Sequence, residues 1–294
     1  MMPPQGGVFI SNDVPEAVLR VTEDIMISLV RAACTNSPAP HPRRPSVGII
    51  GVGAFGELCI PHLRRFLKVK LYDPVRDLGT LCERHEVEAV DLNEAARQDI
   101  VLLALPFRHL QSVAREIAPH LRPGSLVVDV CSIKTKPLSI LEEELPPTIN
   151  IIGMHPLFGP QSSRDGIKGL RIALCPVRGR KGPIVERFLR RELELEVIRM
   201  TAEQHDRQMA YVQGLTHLIA RIVVAMDVPP LEHTTTTFSH LDRMTSMVRH
   251  DSDEVFRTII EDNPFVDDVM RSFVKATRDV LQPFGYPANS DALS

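Results

Sequence analysis

The chain has no tryptophan and only three tyrosines in 294 residues. A platform that stacks nucleic-acid bases needs aromatic faces, so this composition argues against one. There is no basic excess either: the net charge is −3, without the electrostatic footprint of a nucleic-acid binder. No apolar run reaches the roughly 20 residues of a membrane span. The five cysteines (34, 59, 82, 131 and 175) are widely spaced and odd in number. They form no C-x-x-C pair and no metal-ligand spacing, so free thiols in a reducing compartment and no bound metal are expected. The opening MMPPQGG lacks the basic and apolar regions of a secretory signal. Acidic residues at 13, 16, 23 and 24 count against a transit peptide. A cytoplasmic location is expected; a plastid one is compatible with removal of an upstream targeting segment.

What is present is ordinary in amount, with 44% apolar and 24% charged residues, and informative in order. Residues 13–34 carry apolar side chains at helical spacing. The proline-rich SPAPHPRRP at 37–45 then acts as a semi-rigid linker, so residues 1–45 form an appendage. From Ser46, short runs rich in Val, Ile and Leu recur: 47–50, 69–72, 99–106, 125–130, 149–154, 170–175 and 195–199. Helical stretches are expected at 54–67, 75–86, 108–120 and 135–144. Strands without polar alternation are buried on both faces, as in a parallel sheet covered by helices. After Met200 the strand pattern stops. Thr201 with Gln204 reads as a capping box, and helices follow to about residue 226, then near 230–250, 253–261 and 264–282. The expected fold is therefore an N-terminal Rossmann-type, doubly wound, mostly parallel α/β domain (46–200) followed by an all-α region (201–294).

The segment VGIIGVGAFG carries Gly51, Gly53 and Gly56 in G-x-G-x-x-G spacing, after a buried run and before a helix. Gly51 permits the tight turn, Gly53 lets backbone approach a pyrophosphate, and Gly56 allows close helix packing. Gly51, Gly53, Ala54, Phe55 and Gly56 thus form a candidate phosphate cradle at a helix N-terminus. Asp73 ends the next strand, where a carboxylate accepts bonds from ribose hydroxyls and repels a 2′-phosphate. NAD is favoured over NADP, with Arg76 close enough to soften the preference. Leu105-Pro106 ends the strand after which such sheets reverse direction. It is either a plain terminator or a neighbour of the nicotinamide ribose.

Ser132, in DVCSIK, is a helix cap or a hydroxyl at the sheet's carboxyl edge; Lys134 beside it reads as a surface charge. His155 stands in IIGMHPLFGP after the sixth apolar run. Pro156 restricts it toward extended backbone. With an unperturbed pKa near 6.5, a histidine there suits proton abstraction near neutral pH.

In combination, GVGAFG, DVCSIK, GMHPLFGP, QHD (204–206) and VQGLTH (212–217) occur in the order found in the prephenate/arogenate dehydrogenase family of tyrosine biosynthesis, which this chain resembles from about Val47 to Phe284. GPQSSRDGIKGL (159–170) resembles the plant arogenate branch. The resemblance implies NAD(P)-dependent oxidative decarboxylation of prephenate to 4-hydroxyphenylpyruvate, or of arogenate to tyrosine, without a metal. It implies that His155 takes the hydroxyl proton and that Ser132 orients His155 and the hydroxyl. It implies that the helix bearing Gln213 and His217 lines the substrate pocket, the alternative being an interdomain hydrogen bond. Arg243, in FSHLDRM, would hold a substrate carboxylate; Arg249 is the second choice, and a solvated arginine is as good a reading of either. His205 and Asp206 read as capping and interdomain contacts. A homodimer through the helical region is implied. Two other classes are weighed. A β-hydroxy acid dehydrogenase typically needs a lysine on the long helix, and 202–224 has none. A non-catalytic NAD-binding sensor would have no need of both Ser132 and His155.

Overall fold

The computed structural model describes residues 44–249 and 252–285. The helix expected at 13–34, nearly all of the linker and the tail beyond 285 lie outside the described residues.

The apolar runs form one eight-stranded sheet: β1 Ser46–Ile50, β2 Lys68–Tyr72, β3 Glu88–Ala89, β4 Ile100–Leu103, β5 Leu126–Asp129, β6 Asn150–Pro156, β7 Arg171–Arg178 and β8 Glu196–Arg199. Their spatial order is β3-β2-β1-β4-β5-β6-β7-β8. All neighbours are parallel except β6 and β7. The α/β architecture read from the sequence is thus the one observed. Alternate residues of the same strands serve two cores. Ile49, Leu71, Leu102, Val128, Ile152 and Leu174 face one layer; Ile50, Leu103, Val127, Ile151 and Cys175 face the other. Both faces are dry, which is why the strands show no polar alternation. Each such side chain contributes about 1.5–3 kcal/mol on burial.

The covering helices are α1 Ala54–Leu63, α2 Gly79–His85, α3 Leu92–Ala96, α4 Phe107–Ile117, α5 Thr135–Glu144 and α6 Gly182–Arg191. The reading of the chain missed β3, α3 and α6. β3 is a two-residue exposed edge, too short for periodicity to register. α3 is a single turn and more, begun by the Asp91 side chain accepting from Glu94 N at 2.7 Å.

The strand order reverses between β1 and β4, the topological switch point where ligands lie outside the carboxyl ends of strands. Beyond β8 the described residues form helices: α7 Ala202–Met209, a π-helical turn Ala210–Leu215, α8 Thr216–Ala225, α9 Thr236–Val248, α10 Asp253–Glu261 and α11 Val266–Leu281. The Thr201–Gln204 capping box opens α7 with both of its reciprocal hydrogen bonds. The π turn was not expected; such turns insert an extra residue and recur at functional sites. Gly214 within it lies against Val266, whose Cγ2 would stand 3.1 Å from an added Cβ.

Candidate active site

Gly51 leaves β1 with φ +93°, and a Cβ there would sit 2.4 Å from the Ala104 carbonyl oxygen. Only glycine tolerates both conditions. A Cβ on Gly53, by contrast, meets nothing within 4 Å. Gly53 and Ala54 are exposed, Phe55 is half-buried and Gly56 is buried against the Gly51 carbonyl. No side chain caps α1, so its first-turn N–H groups are left without a side-chain partner, as an anion site requires. Leu105 and Pro106, at the end of β4, stand across the switch point from this loop.

Asp73 ties the cradle to the second strand. Its carboxylate accepts from Val52 N at 2.8 Å, Arg76 N at 2.9 Å and Val75 N at 3.0 Å. Burial opposes ionisation, yet these backbone donors and the Arg76 charge more than offset it and hold the carboxyl below its usual range. The Arg76 guanidinium bonds Val52 O and Glu57 Oε2, both at 2.7 Å. The arrangement fits a dinucleotide: an open glycine-lined cradle, an uncapped helix start and an ionised acid at the ribose position.

His155 lies one residue from the end of β6 at the same edge. The sequence reading set it beyond the strand; instead it pairs with Ala173 inside the antiparallel β6–β7 ladder. Its backbone is anchored by the sheet as well as restricted by Pro156. The ring is 5% exposed. Nδ1 lies 2.8 Å from His205 Nε2, and Nε2 lies 3.4 Å from Gln213 Nε2. Burial, and then the neighbouring His205 and Lys134, hold its pKa well below 6.5. The imidazole is therefore neutral at physiological pH and free to take a proton.

Ser132 is half-buried after β5. The ring nitrogens of His155 contact His205 and Gln213, and His205 is a residue that the sequence suggested only as a capping or interdomain residue. His205 is fully buried because α7 packs against the start of α5. Its Nδ1 meets Asp206 Oδ1 at 2.8 Å. Asp206 Oδ1 and Oδ2 also accept from Lys134 N and Thr135 N, each at 2.8 Å. Asp206 is thus the cap of α5, supplied by another helix. Asn263 Nδ2 holds the Asp206 carbonyl at 2.9 Å. Lys134 is also corrected: it is no surface charge but is fully buried, with its ammonium on the buried Asp129 carboxylate. Asp129 sits at the end of β5 and also accepts from Cys131 N at 3.0 Å.

Gln213 projects from the π turn, and its Oε1 is buried without a hydrogen-bond partner. His217, on α8, is buried. Arg243 is exposed on α9 and makes no hydrogen bond to the His155 cluster; Arg249 is also exposed. Among the described residues, no group of His, Cys, Asp and Glu could hold a metal ion, and no helix is long and apolar enough to cross a membrane.

Sheet order, glycine cradle and acid together define a Rossmann-type dinucleotide-binding protein with a buried histidine cluster at the switch-point edge. Residues 70–190 match the family model for the nucleotide-binding domain of prephenate dehydrogenase. A probable arogenate/prephenate dehydrogenase of Methanocaldococcus jannaschii is 36% identical over 146 residues, covering 48% of this chain and 31% of that protein. Arogenate dehydrogenase 1, chloroplastic, of Arabidopsis thaliana is 30% identical over 218 residues, covering 64% of this chain and 31% of that protein. In each case the match spans about a third of the relative's length. The fold is that of prephenate dehydrogenase from A. aeolicus, solved with hydroxyphenyl propionate and NAD+ (TM-score 0.67, 20% identity, 84% of this chain and 91% of that one). The chain is thus similar to prephenate and arogenate dehydrogenases, and its residues 70–190 resemble their nucleotide-binding domain, which supports NAD(P) binding.

Proposed function

We propose that the protein catalyses the NAD-dependent oxidative decarboxylation of prephenate to 4-hydroxyphenylpyruvate. The observation that carries this is a buried, neutral His155 at the carboxyl edge of a sheet whose switch point holds the dinucleotide cradle. Gly51, Gly53, Ala54, Phe55 and Gly56 would hold the pyrophosphate, Asp73 the adenosine ribose, and Leu105-Pro106 would flank the nicotinamide ribose. When bound, NAD supplies the hydride acceptor. His155 Nε2 takes the proton of the ring hydroxyl while hydride leaves the same carbon. The electron pair of the bond to the ring carboxylate then enters the ring and CO2 departs. The resulting phenolate oxygen recovers the proton from His155, so no net proton is gained or lost. Aromatisation drives the loss of CO2. Gln213 and His217 would line the substrate side, and Ser132 would contact the substrate hydroxyl rather than orient the base. Arg243 would have to reach the substrate carboxylate through closure of α9 or from a second copy.

Asp73 supports NAD over NADP, since both of its oxygens are anchored and ionised where a 2′-phosphate would stand. The second reading is arogenate as substrate, favoured by the similarity to the Arabidopsis thaliana arogenate dehydrogenase. We take 46–200 as the dinucleotide unit and 201–294 as a helical unit for substrate and for dimerisation. Tyr211, Val212, Met226, Val274, Val280 and Phe284 are exposed in this unit, as a dimer contact would leave them in a single chain; light scattering reports the mass.

The test is absorbance at 340 nm with prephenate or arogenate, each with NAD or NADP. Turnover of prephenate with NAD is expected, and the substrate ratio decides between the two readings. His155→Asn should lower kcat by about 10²- to 10⁴-fold, the usual contribution of a general base, with NAD binding nearly unchanged. No rate with either substrate would sink the proposal.

A further inference from the structure

The hydrogen bonds around His155 form a chain whose proton positions can be assigned from its far end. Asp206 accepts a backbone N–H on each oxygen, from Lys134 and Thr135. It sits at the N-terminus of α5, where partial positive charge collects. Burial opposes its ionisation, but the donors from His205, Thr135 and Lys134 more than offset this and hold its pKa below the ordinary range. An ionised carboxylate only accepts. The His205 nitrogen 2.8 Å away, Nδ1, therefore carries a hydrogen. In the neutral ring the other nitrogen, Nε2, is then a lone pair. That lone pair lies 2.8 Å from His155 Nδ1, and two lone pairs do not approach so closely. His155 Nδ1 thus carries the hydrogen and donates it to His205.

Only Nε2 of His155 is left to act as a base. The Gln213 amide nitrogen, a donor, faces that atom at 3.4 Å.

We propose that His205, oriented by Asp206, is a positioning residue that fixes His155 as the Nδ1–H tautomer and shares the positive charge His155 acquires when Nε2 is protonated. This deepens the dehydrogenase reading above and rests on it for its catalytic part. The proton balance is simple. The substrate hydroxyl proton adds to His155 Nε2, His155 Nδ1–H stays hydrogen-bonded to His205 Nε2, and His205 Nδ1–H stays on Asp206. No proton leaves the chain, and the His155 cation is stabilised by its hydrogen bond to His205, which is itself held on a buried carboxylate. Removal of His205 by an apolar side chain frees His155 to turn over and to place its hydrogen on either nitrogen. It also removes the acceptor that stabilises the imidazolium.

The other ionisable groups near His155 are few. Lys134, at the start of α5, is paired with Asp129 of β5. His217 lies on α8, and Cys131 and Cys175 flank the Asp129–Lys134 pair. The two thiols are held in their neutral form by burial, their pKa values raised well above 9.0 for Cys131 and to about 12 for Cys175.

The alternative is a cationic His205 in an ion pair with Asp206. His205 would then donate to His155 Nδ1, and His155 would carry its hydrogen on Nε2, where it is no base. The two arrangements predict opposite results. In ¹⁵N-histidine NMR spectra of the intact protein near pH 7, His155 should show a protonated Nδ1 and a bare Nε2; a protonated Nε2 overturns the proposal. This readout does not depend on turnover. If the wild-type protein oxidises neither prephenate nor arogenate, the functional reading fails while the tautomer remains decided.

In the active enzyme, His205→Phe should lower kcat about 10- to 100-fold, a part of the general-base contribution, with KM changed by less than about threefold. The acidic limb of the kcat–pH profile should move to lower pH, because the imidazolium has lost its acceptor. A limb that moves upward would identify a lost cation and overturn the proposal. His205→Gln can donate to Asp206 and accept from His155, so it should recover most of the lost kcat. A Gln variant as slow as the Phe variant, with both folded by circular dichroism, would refute positioning through this hydrogen bond. Asp206 is not the residue to substitute first, since its loss also uncaps α5.

Discussion

Replacing Lys134 by methionine tests the buried charge beneath the histidine cluster. Lys134 and Asp129 are both fully buried and paired to one another. Methionine keeps much of the lysine's volume and apolar stem, so packing changes little. What changes is the carboxylate of Asp129, left in a dry interior with only the neutral donors of Cys131 described beside it. Breaking a buried pair from one side costs about 3–5 kcal/mol. At about 2–4 °C per kcal/mol for a chain of this size, the melting temperature should fall by about 6–20 °C. The double variant Lys134→Met/Asp129→Asn should recover most of that loss, because a buried pair exchanged for neutral groups is close to neutral overall. Urea and thermal denaturation at fixed pH measure both. If Lys134→Met were as stable as the parent to within about 0.5 kcal/mol, the usual range for surface substitutions, the pair would not be buried and charged as argued.

Further expectations concern the cradle, the ribose acid and pH. Gly53→Val should leave stability within about 0.5 kcal/mol, since its side chain enters open space, while weakening NAD binding at least tenfold in a calorimetric titration. Gly51→Ala should instead destabilise the fold by at least about 1–2 kcal/mol, from its positive φ alone, because its Cβ also strikes the Ala104 carbonyl; equal effects of the two substitutions would refute the division of labour between them. Asp73→Asn should weaken NAD by about 10- to 100-fold, the loss of hydrogen bonds to a charged group, and raise the NADP-to-NAD activity ratio. Because burial, His205 and Lys134 depress the pKa of His155 in the folded state, the unfolded chain binds this proton first. Its contribution to stability is therefore intact above about pH 6.5 and falls by about 1.4 kcal/mol per pH unit below that, levelling off once the folded ring also protonates. His155→Gln should remove one proton's worth of that slope in urea titrations between about pH 5 and 7.

The α/β class was legible because β1, β4, β5 and β6 are buried on both faces, and a doubly buried strand is apolar at most positions, without polar alternation. The glycine cradle was legible because its conformations exclude other residues: a positive φ and a 2.4 Å approach at Gly51 admit nothing with a Cβ. The Thr201–Gln204 cap was legible because its hydrogen bonds are local, three residues apart. Edge strand β3, the short α3 and the π turn left too little periodicity to read. The linkage of His155 was invisible for a different reason. His155 meets His205 fifty residues away, and Asp206 meets Lys134 seventy-two residues away. Those distances close only when α7 folds back onto the start of α5 and the end of β6. Lys134 and Asp206 likewise resembled ordinary charged residues, because a side chain's charge is written in the sequence while its burial is decided by what the fold lays over it. The residues that can do chemistry were thus set by the sequence, and the tertiary structure decided which of them touch.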